Sequence, residues 1–355
     1  MEGSRSSVAE RCVLGLHRWP HLAALGEALR STIIPLQMSS KAWDKAVPVS
    51  VCVPVYNGAL YVRDAIRTVL NQTVTPQEII ISDSGSSDGT EDIVREETRG
   101  ARANIIFLPT KTPGMVANWN STIRSASAKY IKFLFQDDLL HADCLEKMVM
   151  LAESDDRIGL VFSPRELLVE PSAEHDPVTE WLLAHQNLSA AFSELKSSQP
   201  GSLLLRSRKL LEQPLNKVGE PTAVLIRTSV LREAGFFNER MCQLVDMEMW
   251  IRLMAISHVG YIPKTLTSVR VHLQRASNRH FGEEIDRFEQ DCLRDTMRMP
   301  TIYPLLNWRV RRALRYAQHR RPRFSESRLS GVVRPLIQTA NAPSRLLRKL
   351  WRCFH

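Results

Sequence analysis

The chain has 355 residues, of which 44% are hydrophobic and 24% charged, a composition typical of a globular protein with a substantial core. Its formal net charge is +9, but residues 308–355 hold 13 Lys or Arg against the single acid Glu326, so the preceding residues sum to −3. A nearly neutral body with a basic end argues against a nucleic-acid-binding domain, and the composition excludes fibrous and disordered proteins.

The first predicted element is a buried strand over Val47–Val55, an apolar run that ends in the turn Tyr56-Asn57-Gly58. Residues 1–46 show no strand periodicity before it. We interpret them as an N-terminal extension that is either disordered or the result of an upstream start, in which case Met38 is the initiator.

Strands and helices alternate in the segment that follows. The predicted strands are Glu78–Ser82, Asn104–Leu108 and Tyr130–Phe135, and the predicted helices are Ala59–Asn71, Thr90–Arg99 and Val116–Ser127. Crossovers of this length favour parallel pairing, so the pattern predicts an α/β fold with a doubly wound sheet. Ligands bind at the carboxyl ends of strands in such sheets, where the polar turns at Tyr56, Asp83 and Asp137 lie.

The pattern changes in the second half of the chain. Residues 163–219 are loop-rich and helical with little strand signal, and we interpret them as an insertion. Strand-like runs return at Pro221–Thr228 and Gly260–His272, with a helix predicted at Asp246–Ser257 between them. From about Tyr303 the chain is rich in arginine, and we expect it to leave the core.

A pair of acids, Asp137-Asp138, directly follows the predicted strand Tyr130–Phe135. At a strand end one carboxylate must point into a pocket, where it suits Mg²⁺ or Mn²⁺ shared with a substrate diphosphate. The alternative is that the pair caps a helix over Leu139–Met150. Asp83 leaves the same choice open, because Asx turns use the same residue type.

The turn Gly85–Gly89 matches the G-x-S-x-G pattern of serine hydrolases, with Ser87 as the nucleophile. This rival interpretation leaves the acids Asp137-Asp138 without a role. It is also disfavoured because Asp83 and Asp88 would place negative charge beside a developing oxyanion.

Two acids, Asp246 and Glu248, lie in the first turn of the helix predicted over Asp246–Ser257. The helix dipole alone favours acids there, but an acid that faces a pocket is a candidate general base for an acceptor hydroxyl. His272 is a candidate metal or phosphate ligand, although an isolated histidine after a strand is more often structural.

Taken together, these segments resemble glycosyltransferase family 2, the inverting, nucleotide-sugar-dependent enzymes of the GT-A fold. The resemblance runs from Val49 to about Ser277. It is carried by Val51–Asn57, Glu78–Thr90, Gln136-Asp137-Asp138 and the acid Asp246. It implies a GT-A-like doubly wound mixed sheet flanked by helices, to which the Arg-rich end adds a basic helical C-terminal tail.

The resemblance implies a nucleotide pocket at the ends of the first strands. Pro54, Tyr56 and Asn57 would form its wall. Asp83 would contact the base or its ribose, and Asp137 the ribose or the outer coordination sphere of the metal. The implied donor is a nucleotide-diphosphate sugar, with UDP as the default and GDP and dTDP open.

The resemblance also implies a metal-dependent hexosyltransferase reaction. Asp138 and His272 would hold Mn²⁺ or Mg²⁺. Asp246 would be the base that takes the proton from an acceptor hydroxyl, with Glu248 as the second candidate. The acceptor would be a glycan or a lipid-linked molecule, in the synthesis of a surface polysaccharide or glycolipid.

These expectations divide the chain into segments. Residues 47–300 would form the catalytic domain, with a nucleotide-binding half over 47–140 and an acceptor half over 141–300. The insertion 163–219 lies in the acceptor half, and residues 301–355 would form the basic amphipathic tail.

The last residues, Ser344–His355, place Leu, Trp and Phe at helical spacing with Arg and Lys between them, which is typical of an interfacial membrane anchor. Each basic side chain adds roughly 1 kcal/mol near an anionic surface. We therefore expect a cytoplasmic protein, peripheral on the inner face of the cell membrane, that binds no nucleic acid. The alternatives are a solvated or packed helix and, for the whole chain, a non-catalytic sugar-nucleotide-binding or scaffold protein at the membrane surface.

Overall fold

The structure is a computed structural model that describes residues 46–108, 114–192, 194–275 and 287–319. The predictions for the N-terminal extension, for Met38 and for the amphipathic segment 344–355 lie outside these residues. Within them, no helix combines the length and the apolar character needed to cross a membrane.

Eleven strands lie in the described part of the chain, and they form two sheets. In chain order they are β1 (Val47–Val55), β2 (Pro76–Asp83), β3 (Asn104–Leu108), β4 (Tyr130–Phe133), β5 (Leu139–Leu140), β6 (Ile158–Phe162), β7 (Arg165–Val169), β8 (Ser198–Pro200), β9 (Val224–Arg227), β10 (His258–Tyr261) and β11 (Thr267–Val271). The larger sheet has the order β3-β2-β1-β4-β9-β6-β10-β8, and the smaller one β5-β11-β7.

The larger sheet is mixed. Strands β3, β2, β1 and β4 pair in parallel, so their carboxyl ends lie at one edge. Strand β9 runs antiparallel to both β4 and β6. The predicted doubly wound mixed sheet is therefore confirmed.

Helices flank these strands. In chain order they are α1 (Val62–Leu70), α2 (Thr90–Glu97), α3 (Met115–Ser125), α4 (Cys144–Ser154), α5 (Pro177–Ala184), α6 (Gly201–Leu205), α7 (Thr228–Ala234), α8 (Val245–Ile256), α9 (Arg287–Arg298) and α10 (Trp308–His319). Helix α1 shows why they form where they do: Val62, Ala65, Ile66 and Val69 recur every three or four residues and are all buried.

Strand β1 is buried on both faces, which explains its continuous apolar run. Cys52 lies in one apolar cluster with Ile80 of β2, whereas Val51 and Val53 lie in a second cluster with Ile79. Successive side chains of a strand point to opposite faces, so β1 joins the two clusters. The strand end that carries the first polar turn is thereby held in the core.

The helix predicted over Leu139–Met150 is wrong at its start. Leu139 and Leu140 form β5, which pairs antiparallel with Ser268 and Thr267 of β11. Helix α4 begins only at Cys144. The two acids before Leu139 therefore do not cap a helix, and the alternative interpretation of that pair is excluded.

The segment 163–219 contains more strand than its sequence indicates. Strand β7 pairs in parallel with β11, and β8 pairs antiparallel with β10. Both strands are short, and each is stabilised by a partner that comes much later in the chain. The segment is therefore built into both sheets rather than inserted as loops and helices alone.

The boundary at residue 301 is also wrong, because the chain does not leave the core there. Ile302, Leu306, Val310 and Leu314 are all buried in the apolar cluster that contains α8. Val310 and Leu314 lie one turn apart in α10 and so place one face of that helix against the body. The beginning of the predicted tail is thus part of the folded domain.

Candidate active site

Two turns meet at the carboxyl ends of β1 and β2. Asn57, with a φ of 47°, turns the chain after β1, and its N–H donates to Ser86 Oγ at 2.9 Å. Asn57 Oδ1 accepts from the Ser87 N–H at 2.9 Å, and Asp88 Oδ2 accepts from the Ala59 N–H at 2.9 Å. These reciprocal bonds hold the two turns together as one polar surface.

Asp83 ends β2 and uses one carboxylate oxygen to shape the turn that follows. Its Oδ1 accepts from the Gly85 N–H at 3.0 Å and from the N–H and the hydroxyl of Ser86 at 2.8 Å each. This is the Asx turn that the sequence left open. Asp83 Oδ2 accepts no hydrogen bond from the described residues, so the same side chain keeps one oxygen for a ligand.

The other two predicted wall residues differ in exposure. Tyr56 is 53% exposed and lies on the surface of the turn. Pro54 is buried in β1, in register with Ser82 of β2. The structure thus leaves Tyr56 accessible to a ligand and buries Pro54 within the sheet, which argues against the predicted contact for Pro54.

Gln136 holds the turn after β1 against the end of β4. Its Oε1 accepts from the Tyr56 N–H at 2.8 Å, and its Nε2 donates to the Tyr56 carbonyl at 3.1 Å. A Cβ at position 58 would lie 2.5 Å from Gln136 Oε1, so Gly58 leaves the space that the Gln136 amide occupies. The sequence did not assign this role to Gln136, and its one signal is an amide side chain directly before the strand-end acids.

Asp137 and His272 come together from separate loops. Asp137 Oδ2 lies 3.1 Å from His272 Nε2, and the His272 ring packs against Tyr61 with centroids 4.6 Å apart. The Asp137 side chain remains 20% exposed. No group of three or more His, Cys, Asp or Glu suited to a metal occurs among the described residues. A cation bound here would therefore need oxygens of the substrate to complete its coordination.

Asp138, the predicted metal ligand, faces inward. It is 3% exposed, its Oδ2 accepts from Thr222 Oγ1 at 2.6 Å, and its Oδ1 accepts from the Arg270 N–H at 3.2 Å. The pKa of Asp138 is raised to about 8, mainly by burial and secondly by the negative charge of Asp137. Both carboxylate oxygens thus already bind the protein and tie the smaller sheet to the segment before β9.

A fully buried lysine lies beneath these acids. Lys132 Nζ, in β4, donates to the Thr222 carbonyl, and burial lowers the pKa of Lys132. Its positive charge is close enough to Asp138 to act on it electrostatically. Thr222 therefore joins Lys132 to Asp138, a contact that only the fold reveals, because a lone lysine in an apolar strand has no diagnostic spacing.

Asp246 occupies the first turn of α8, where the sequence predicts a general base. Its side chain is half-buried, and its Oδ1 is buried without a hydrogen bond from the part of the chain that is described. The pKa of Asp246 is raised to about 8, mainly by burial and secondly by the negative charge of Glu220. A carboxylate of this kind accepts a proton far more readily than an ordinary aspartate.

Glu248, the second candidate base, is committed elsewhere. Its oxygens accept from Arg252 Nε at 2.9 Å and from the Arg252 guanidinium at 2.7 Å, and Thr296 Oγ1 donates to it at 2.7 Å. The Glu248 side chain is only 6% exposed. This assignment is therefore corrected: Glu248 ties α8 to α9 and has no oxygen directed to a substrate.

The serine-hydrolase alternative finds no geometric support. Ser87 is exposed, and its N–H donates to Asn57 Oδ1. No histidine among the described residues hydrogen-bonds its hydroxyl. The G-x-S-x-G spacing is thus explained by a polar turn rather than by a nucleophile.

Comparison with known proteins decides the family. The family model for Glycosyl transferase family 2 matches residues 50–213. The uncharacterized protein MT1568 of Mycobacterium tuberculosis is 31% identical over 224 residues, which are 63% of this chain and 67% of that protein. The chain belongs to glycosyltransferase family 2. The resemblance stated from the sequence is thereby confirmed.

Two further comparisons bear on the family member described here. The putative teichuronic acid biosynthesis glycosyltransferase TuaG of Bacillus subtilis is 36% identical over 102 residues, 28% of this chain and 40% of its own length. The crystal structure of S. aureus TarS 1-349 in complex with UDP-GlcNAc matches with a TM-score of 0.51 and 17% identity, covering 76% of this chain and 87% of TarS. This last likeness supports the fold and confirms the predicted GT-A-like architecture.

Proposed function

We propose that this family 2 glycosyltransferase moves a sugar from a nucleotide-diphosphate donor to an acceptor hydroxyl, with inversion at the anomeric carbon. The observation that carries the proposal is the state of Asp246. It combines a buried oxygen that has no partner in the described chain with a pKa near 8, in the first turn of α8. The pKa of Asp138 is raised as well, but both of its oxygens are bound, whereas Asp246 keeps an oxygen without a partner in the described chain, and this combination favours Asp246 as the catalytic base.

In the proposed reaction Asp246 takes the proton from the acceptor hydroxyl as that oxygen attacks the anomeric carbon. The bond from the anomeric carbon to the diphosphate breaks on the opposite side of the sugar ring, and its electron pair leaves with the diphosphate. One displacement inverts the configuration and needs no protein nucleophile, in agreement with the exposed, unassisted hydroxyl of Ser87.

The donor side is formed by the two joined turns. Asp83 Oδ2 is the open acceptor for a base or ribose group, and the exposed Tyr56 provides a ring beside it. Asn57 holds the two turns in place through bonds from its backbone and its amide. UDP remains the default nucleotide, and UDP-GlcNAc, with which TarS was solved, is the first donor to test.

The residues fit a Mn²⁺ or Mg²⁺ ion on the diphosphate side. Asp137 and His272 supply a carboxylate oxygen and an imidazole nitrogen 3.1 Å apart, a donor pair that suits Mn²⁺. We assign the ligand role to Asp137 and His272, and we assign Asp138 to positioning, since its two oxygens already accept from Thr222 and Arg270. When bound, the ion would neutralise charge on the departing diphosphate.

We further propose that the acceptor is a glycan or lipid-linked molecule at the inner face of the cell membrane. The name of the relative TuaG links it to teichuronic acid biosynthesis. The basic amphipathic pattern of residues 344–355 fits binding to an anionic membrane surface. Both arguments favour surface polysaccharide or glycolipid synthesis.

The test is the substitution Asp246→Asn, which keeps the shape of the side chain and removes its basicity. We expect turnover to fall by about 10³-fold, within the range typical of a lost general base. The Kd of UDP, measured by calorimetry with Mn²⁺ present, should stay the same. The matched control is Asp156→Asn, the same chemical change at a side chain that is 91% exposed.

Turnover by Asp246→Asn within a few-fold of wild type would contradict the assigned base. A wild-type protein that binds a nucleotide but turns over no donor would instead support the non-catalytic scaffold. Absence of binding for UDP, GDP and dTDP alike would overturn the donor class as well.

A further inference from the structure

A four-residue turn, Gly219–Thr222, joins the two sides of the candidate site, and we call it the bridging turn. The carbonyl of Gly219 accepts from Trp250 Nε1 at 3.0 Å. Trp250 lies four residues after Asp246 in α8, which places both on one face of that helix. The first end of the bridging turn is therefore fixed to the helix face that carries the base.

The second end is fixed to the strand-end acids. Thr222 Oγ1 donates to Asp138 Oδ2 at 2.6 Å, and the Thr222 carbonyl accepts from Lys132 Nζ. At the first end Gly219 has a φ of 121°, a conformation that other residues rarely adopt. Both ends of the bridging turn are thus held by specific bonds, which fixes the place of the two residues between them, of which Glu220 carries the only ionisable side chain.

Glu220 Oε2 lies 2.7 Å from Arg165 Nε, and the Arg165 side chain is only 2% exposed. Arg165 is held in turn by a 2.7 Å bond to the Gln186 carbonyl. The Glu220 side chain is 19% exposed, and its Oε1 accepts no hydrogen bond within the described chain. One oxygen is therefore anchored on a buried cation, and the other is left for a ligand.

Glu220 lies on the turn whose ends are bonded to the helix that carries Asp246 and to Asp138. Glu220 is near enough to Asp246 and to Asp138 for its charge to act on both. In an in-line displacement the sugar ring lies between the base and the departing diphosphate. A carboxylate on the turn that joins these two sides is therefore a candidate to contact the ring.

We propose that Glu220 accepts hydrogen bonds from hydroxyl groups of the donor sugar and so helps to select that sugar. This inference rests on the proposed function. A carboxylate oxygen is an acceptor only, so it discriminates between sugars by where their hydroxyl donors point. The bonds are charge-assisted, and Arg165 supplies the buried positive charge that balances the anchored oxygen.

The test compares a nucleotide with its sugar conjugate in wild type and Glu220→Gln. The probes are UDP with UDP-GlcNAc and GDP with GDP-mannose, titrated by calorimetry with Mn²⁺ present. For the pair that wild type binds, we expect the Kd of the nucleotide to change less than about two-fold. The Kd of the sugar conjugate should rise by about 10- to 100-fold, as expected for loss of a bond to a charged group.

Two further variants keep the result interpretable. Glu212→Gln makes the same change at an exposed position eight residues earlier and should leave both affinities unchanged. Glu220→Asp keeps the charge and shortens the side chain. We therefore expect a folded protein with a selectively lowered affinity for the sugar conjugate, even where Glu220→Gln fails to fold.

Three outcomes would overturn the inference, and they differ from one another. Equal weakening of nucleotide and conjugate would show that Glu220 only supports the fold of the pocket. If Glu220→Gln leaves the affinity for the sugar conjugate unchanged but raises the KM for the acceptor, then Glu220 binds hydroxyl groups of the acceptor and not of the donor sugar. A wild-type protein that binds none of the probes would overturn the proposed function first, before any Glu220 variant is measured.

Discussion

Among single residues, Asp246 determines how the reaction should depend on pH. Its pKa is raised to about 8, so below that pH the carboxyl is protonated and cannot take a proton. We expect kcat/KM to rise about ten-fold per pH unit up to a bend near pH 8 and to level off above it. A profile from pH 5.5 to 9.5 with saturating Mn²⁺ measures this, and a flat profile over that range would contradict it.

The two adjacent acids should respond differently to substitution. Asp137 is partly exposed beside His272, whereas both oxygens of Asp138 are bound within the protein. We expect Asp137→Asn to abolish the part of the UDP-induced thermal shift that needs Mn²⁺, because bound ligand stabilises the folded state by mass action.

For Asp138→Asn, the variant matched in chemistry and position, we expect the Mn²⁺-dependent shift to remain. The reverse pattern would restore the assignment made from the sequence, in which Asp138 is the ligand. Thermal unfolding with UDP and either Mn²⁺ or EDTA distinguishes the two assignments without any measurement of turnover.

At the scale of secondary-structure elements, the placement of the base depends on a contact between two helices. Helix α8 has no capping side chain at Leu244, and a carboxylate from α9 takes that place. Glu289 accepts from the backbone N–H groups of Cys242, Gln243 and Leu244 at 2.8 to 2.9 Å. Its negative charge at the start of the helix is favourable.

We expect Glu289→Ala to lower the free energy of unfolding by about 2 kcal/mol, since it leaves the buried Leu244 N–H and two partly buried N–H groups unpaired. It should also lower kcat more than it changes the Kd of UDP, because the displaced element carries the base and not the nucleotide turns. The control is Asp295→Ala, at a 78% exposed side chain of the same helix. Loss of UDP binding together with kcat would show a general loss of fold instead.

The elements that the sequence predicts well are those with a local signal. Strands β1 and β3 have the predicted bounds, because each is a continuous apolar run rich in β-branched residues. Strands β5, β7 and β8 were missed because they have two to five residues and are defined by partners far away in the chain. Their sequences alone do not specify strand pairing.

The site shows the same division between local and distant information. Asp83, Asp137 and Asp246 could be predicted from the sequence because acids at a strand end or a helix start have a local signature. Three features of the site depend on residues more than 50 positions away in the chain. They are the inward-facing side chain of Asp138, the ion pair of Glu220 and the bond of the buried Lys132. Only the assembled fold brings such pairs together.

At the scale of the whole molecule, the packed residues of α10 separate the folded body from the basic end. Removal of residues 320–355 should leave the unfolding temperature within about 2 °C of wild type, because Val310 and Leu314 remain in place. It should abolish co-sedimentation with vesicles that contain anionic lipid, if residues 344–355 provide the membrane contact.

The control for this truncation is the full chain mixed with neutral vesicles. We expect the full chain not to sediment with these vesicles. Retained sedimentation of the shortened chain with anionic vesicles would place the membrane contact on the body. Turnover of a water-soluble acceptor should survive the truncation in either case.

The antiparallel strand β9 has a consequence for how the chain can be divided. It lies between β4 and β6, and its residues Leu225–Arg227 pair with Tyr130–Lys132. A fragment limited to residues 46–140 would expose this side of β4 as an unpaired edge with apolar neighbours. Such edges recruit strands of other molecules, so the nucleotide-binding half should aggregate when it is expressed without the rest of the domain.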